Sequence, residues 1–195
     1  MNRTLVDQLL EQMQGAPLQQ MSRQIGADPQ QTMGAIGAAL PLILGALGRN
    51  TAQPEGADAL LGALQRDYAG VDFGSVLGDM FGGARQDDGS AILGHIFGDR
   101  GQRAEASLGQ ATGLDSDRIA TLLRALAPVV LSFLAQRFAA GGNAGELGQA
   151  LGVERDHANR QGGGMLDALF DQNGDGRVDL GDLLKLGMGM LGGRR

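Results

Sequence analysis

The chain has no cysteine and no tryptophan, a single tyrosine (Tyr68) and a single lysine (Lys185) in 195 residues. Without thiols it has no disulfide, no thiolate nucleophile and no thiolate zinc ligand. Aromatic residues make up 4% against a hydrophobic content of 43%. The interior must therefore be filled by Leu, Ile, Val, Met and Ala, which suits packed helices. Positive charge is also short: Lys and Arg total 16 against 22 Asp and Glu, for a net charge of −6. The arginines are scattered along the sequence, so no basic stretch is offered to a phosphate backbone, and nucleic acid is not an expected partner. No segment alternates with period two and β-branched enrichment, so no sheet is expected.

Long apolar runs are short of a membrane span as well. Residues 29–48 carry no formal charge, but Pro29, Gln30, Gln31 and Thr32 are polar or turn-forming and Pro41 interrupts the apolar part. The continuous apolar stretch Ala35–Leu47 falls below the roughly 20 residues that cross about 30 Å of hydrocarbon, and a buried core helix is the better reading. The N-terminus carries charge early and lacks the apolar run of a signal peptide, so cytoplasmic residence is expected.

Glycine, in contrast, supplies 34 residues, far above the usual share of roughly 7%. Fifteen Arg to one Lys points to a coding bias, which would leave part of the glycine excess without structural meaning.

Two long helical segments look like copies of one another. Gly26-Ala27-Asp28 opens the first and Gly113-Leu114-Asp115 the second, and at that offset Ala38 matches Ala125, Pro41 matches Pro128 and Leu44 matches Leu131. Asp28 and Asp115 are good N-caps, with Pro29 at the first helical position of one copy. Each internal proline removes one helical hydrogen bond and presses on the carbonyl four residues earlier, Gly37 or Arg124. Each segment is thus one kinked helix or two helices broken before the proline. Shorter amphipathic helices are expected at Leu5–Met13, Leu18–Ile25 and Ala57–Tyr68. Glycine-bounded apolar runs at residues 74–82, 91–99 and 164–171 share an apolar-Leu pair followed by an apolar-Phe pair, one face of a short helix. The expected fold is all-α, with two pseudo-repeated halves (residues 1–100 and 101–195) meeting near Gly98–Arg103, separate or packed as one domain.

One stretch carries explicit chemistry. Residues 171–182 place Asp171, Asn173, Asp175, Asp179 and Asp182 at positions 1, 3, 5, 9 and 12 of an EF-hand-type loop, with Gly176 at the sharp turn and Val178 at the apolar anchor. Calcium takes six to eight hard oxygens, which four carboxylates, Asn173 and the Arg177 carbonyl can supply, some through water. A surface turn rich in Asp and Gly would leave those placements to coincidence. Asp182, where EF-hands carry Glu, shortens the last arm and resembles the loops of dockerin modules. A Kd of order 10⁻⁵ to 10⁻³ M is expected, more a structural clip than a sensor.

Other signals carry less. Gly187-Met188-Gly189-Met190-Leu191-Gly192 fits G-x-G-x-x-G, but no strand precedes it. The helix-turn-helix outline of residues 18–44 has an apolar second helix without base-reading side chains. His95 reads as a core-edge or interface residue and His157 as solvated, and no nucleophile or acid–base pair is nominated. The order of the pieces Gln24-Ile25-Gly26-Ala27-Asp28, Ala39-Leu40-Pro41, residues 92–98, Ala125-Leu126-Ala127-Pro128 and the 171–182 loop resembles bacterial family 937 of the domains of unknown function, over roughly Leu5 to Leu191. That resemblance brings no catalytic residue. The expected function is a non-enzymatic, Ca²⁺-dependent interaction or scaffold protein, binding a protein partner or itself. The alternative is a hydrolase-like enzyme using carboxylates and His95 in a cleft between the halves.

Overall fold

The computed structural model describes residues 3–53, 55–68, 70–71, 74–76, 78 and 86–161. The chain divides after Asp156 into two compact units, residues 1–156 and 157–195. Of the second only residues 157–161 are described, and they continue a helix. The proposed metal loop and the 164–171 run lie outside the described residues, as does much of the 74–82 run.

Among the described residues the secondary structure is helical. The elements are α1 (Leu5–Met13), α2 (Ala16–Ile25), α3 (Pro29–Thr51), α4 (Gly56–Asp67), α5 (Gln86–Phe97), a 3₁₀ turn (Gly98–Arg100), α6 (Gly101–Thr112), α7 (Ser116–Phe138) and α8 (Ala144–Gln161). The residues expected to join two halves are thus the 3₁₀ turn and the start of α6. Neither α6 nor α8 stands out from the sequence, because their polar content hides the apolar stripe. The helix α3 runs to Thr51, and α5 begins at Gln86.

Local chemistry sets the helix starts. In α1 the Thr4 hydroxyl accepts from the Asp7 amide (3.1 Å) and the Asp7 carboxylate accepts from the Thr4 amide (3.2 Å), a complete capping box. The Asp28 carboxylate accepts from the amides of Gln30 and Gln31, both at 2.9 Å, and Asp115 accepts from the Arg118 amide at 2.9 Å. Each of these caps satisfies donors that the first turn leaves open. The helices α2 and α6 end on Gly26 and Gly113, both left-handed at φ 66° and 71°.

The core is built on α3 and α7, each 23 residues long. They pack on one another, and both touch α2, α4, α5 and α6. Ile36, Leu40, Ile43 and Leu44 of α3 are fully buried, as are Leu122, Leu126 and Val130 of α7. Burial of one such side chain stabilises by about 1.5–3 kcal/mol. Pro41 and Pro128 lie within continuous helices, so neither segment breaks into two before its proline. The missing donor is tolerated because neighbouring helices hold both ends of each segment in place.

By length and composition alone both helices are apolar enough to cross a membrane. Yet 67% and 78% of their apolar windows are covered by the rest of the protein, the behaviour of core helices surrounded by partners.

Candidate functional site

The helices α4 and α5 both lean on α3 and α7. Between them lies a cleft of about 720 Å³. From α4 it is lined by Leu60, Ala63, Leu64 and Asp67, an i, i+3, i+4, i+7 stripe that brings one helix face to the cavity. From α5 the same spacing presents Asp88, Ala91, Ile92, His95 and Ile96. Leu131 of α7 forms part of the floor, and Tyr68 closes the end of α4.

Burial grades across the cleft. Leu64, Ile96 and Leu131 are buried and Leu60, Ala63 and Ile92 are half-buried, whereas Asp67, Asp88 and His95 are exposed. The result is an apolar trough with two carboxylates and an imidazole at its rim. The volume falls within the range of small-molecule and peptide pockets.

His95 is held by its backbone. The Asn50 side-chain amide donates to the carbonyls of His95 (3.3 Å) and Ile96 (3.2 Å), satisfying groups that the end of α5 leaves open. His95 is therefore a rim residue of the cleft, consistent with its reading as a core-edge side chain. His157 is half-buried instead of solvated. No trio of His, Asp and Glu among the described residues is placed to hold a metal ion. A second, more polar cavity of about 480 Å³ flanks the other side of α5, between Ser90, Leu93 and Gly94 and the 3₁₀ turn, with Glu105 and Arg124 on its wall.

Asp171, Asn173, Asp175, Arg177, Asp179 and Asp182, which sequence spacing nominates as calcium ligands, all lie outside the described residues. The stripe 60/63/64/67 is part of the amphipathic pattern of α4. The sequence shows α4 as an amphipathic helix, and the fold turns Leu60, Ala63 and Leu64 of its apolar residues to this cavity.

A second feature escaped the sequence altogether. Arg49 is half-buried in the last turn of α3, and its guanidinium is held below the usual pKa first by burial and then by Arg100 and Arg155. Three arginines that are scattered along the chain thus act on one another in the folded protein.

The sequence model of a family described as bacterial protein of unknown function (DUF937) matches residues 7–137. No curated protein and no solved structure matches the chain. The matched stretch reaches from α1 to α7 and contains every lining residue of the α4–α5 cleft. It stops short of α8 and of residues 171–182, so the resemblance read from the sequence extends further than the match. Because the match covers well over half of its residues, this chain belongs to that bacterial family.

Proposed function

We propose that the protein is a non-enzymatic helical binding protein whose α4–α5 cleft receives an amphipathic segment of a protein partner or of a second copy. The observation that carries this reading is the cleft itself: an apolar floor of Leu64, Ile96 and Leu131 beneath exposed Asp67 and Asp88. Apolar anchors at helical spacing would fill the trough, and a Lys or Arg beside them would meet the carboxylates. In the same reading a C-terminal EF-hand-like loop (Asp171, Asn173, Asp175, Arg177, Asp179, Asp182) takes one Ca²⁺ and orders the tail. Support for that limb is the spacing of its oxygen donors in the sequence. A duplicated origin of the two halves is supported by α3 and α7, equal in length and each entered through an Asp cap thirteen residues before an internal proline. Cytoplasmic residence belongs to the same proposal.

A fluorescent Leu/Lys amphipathic peptide titrated into the full chain tests the cleft. Binding should weaken tenfold or more in Ala63→Trp, which fills the trough, and in the pair Asp67→Lys with Asp88→Lys. Equal affinity for wild type and both variants, with helix content unchanged by circular dichroism, rules the cleft out as the binding surface.

One observation favours a second reading, a hydrolase-like enzyme: Asp67, Asp88 and His95 line the same cavity. Turnover of a panel of nitrophenyl esters and phosphates that disappears in His95→Ala would select it over the binding role.

A further inference from the structure

The polar cavity beside α5 is bordered by segments that touch one another: α5, α6 and α7 pack pairwise, and the 3₁₀ turn joins the first two. Gly98, left-handed at φ 55°, turns the chain out of α5 and is followed by Asp99 on the cavity lining. Buried Ala104 and Leu108 fix the rotation of α6, which leaves the half-buried Glu105 on the wall. Arg124 comes from α7, where the close approach of Gly89 fixes its backbone against α5. Two carboxylates and one guanidinium therefore border one space of about 480 Å³, a volume typical of small-molecule sites. Among the described residues none of the three side chains has an ion-pair partner. The backbone beside them is kept bare: a Cβ at Gly94 or Gly101 would meet nothing within 4 Å, so no helix contact requires glycine at either lining position. In the middle of α5 glycine is less favourable than alanine, and what Gly94 provides is room in the cavity.

We propose that this cavity binds a free basic amino acid, with its carboxylate on Arg124, its two ammonium groups on Glu105 and Asp99, and its aliphatic stem along the half-buried Leu93. Charge carries the assignment. The lining offers one cation and two anions, and a basic amino acid offers one anion and two cations, so each group finds its opposite. A guanidinium grips a carboxylate through two parallel N–H donors. An inorganic anion would face two carboxylates and a simple diamine would face Arg124, so both are disfavoured. Exposed ion pairs are weak singly, and three of them in a partly sheltered site correspond to millimolar binding. The site shares no lining residue with the α4–α5 cleft and stands apart from the partner-binding reading.

Calorimetric titration of L-lysine into the full chain at constant ionic strength tests the site. A saturable heat with millimolar Kd is expected. Cadaverine, which lacks the carboxylate, and norleucine, which lacks the side-chain ammonium, should each bind about tenfold more weakly or worse. Arg124→Met should weaken L-lysine about tenfold while binding cadaverine no less well than the wild type. Arg124 is exposed, so this variant should keep the wild-type melting temperature. Gly94→Leu, which fills the cavity, should abolish the heat, and Ala63→Trp in the α4–α5 cleft should leave it unchanged. No heat with L-lysine beyond that of sodium chloride, equal affinity for the three probes, unchanged binding in both Arg124→Met and Gly94→Leu, or loss of binding in Ala63→Trp overturns the site.

Discussion

Gly89 of α5 lies against the carbonyl of Arg124 in α7, so close that a Cβ at this position would collide with that oxygen. Arg124 is four residues before Pro128, whose ring nitrogen cannot donate, so this carbonyl loses its ordinary helical partner. The glycine lets the α5 backbone approach this oxygen where any side chain would collide with it. An internal proline in one helix and a glycine in another thus answer the same geometric problem.

Gly89→Ala should therefore destabilise by about 1–3 kcal/mol, because the added methyl meets backbone and not a movable side chain. The control is Gly34→Ala in α3, where nothing lies within 4 Å of the added carbon. That change should stabilise by about 0.5–1 kcal/mol through helix propensity. Urea unfolding midpoints of the two variants should move in opposite directions. Movement in the same direction would remove the close-approach explanation.

The buried Glu154 side chain of α8 accepts a 2.6 Å hydrogen bond from the Leu5 amide, the first residue of α1. It satisfies an open donor at a helix N-terminus, where negative charge is favoured. Glu154→Ala should cost about 1–3 kcal/mol, with the loss concentrated in faster amide exchange of α1, whereas Glu154→Gln, which keeps an acceptor, should cost less. Unaltered exchange in α1 would show that the bond contributes nothing to its stability.

Ser132 of α7 is fully buried, and its hydroxyl has no hydrogen-bond partner among the described residues. Ser132→Ala removes an unsatisfied polar group and should be neutral or stabilising by about 1 kcal/mol. A drop in melting temperature would indicate a partner for the hydroxyl in solution.

Calcium titrated calorimetrically into the full chain should give one site with Kd of order 10⁻⁵ to 10⁻³ M. The heat should disappear in Asp171→Ala with Asp175→Ala, and chelation should leave α1 to α7 intact. The same heat in the double variant would exclude the loop as the binding site.

Helix class, the caps at Asp28 and Asp115 and the buried character of α3 and α7 were legible in the sequence. They depend on interactions within one turn, or on the plain absence of charge from a segment. The pattern of α4 was legible as amphipathic, but not that Leu60, Ala63 and Leu64 would line a cleft. Burial of a face depends on which helix comes to lie opposite.

What the chain by itself determined is local: where helices start, where glycine ends them, and which segments must avoid water. The tertiary structure decided which distant residues meet. It brought Arg100 and Arg155 to Arg49, laid Gly89 on Arg124 and opened a trough between two helices that share neighbours. Periodicity along a helix specifies a direction but not a partner, and only close packing of several helices converts one into the other.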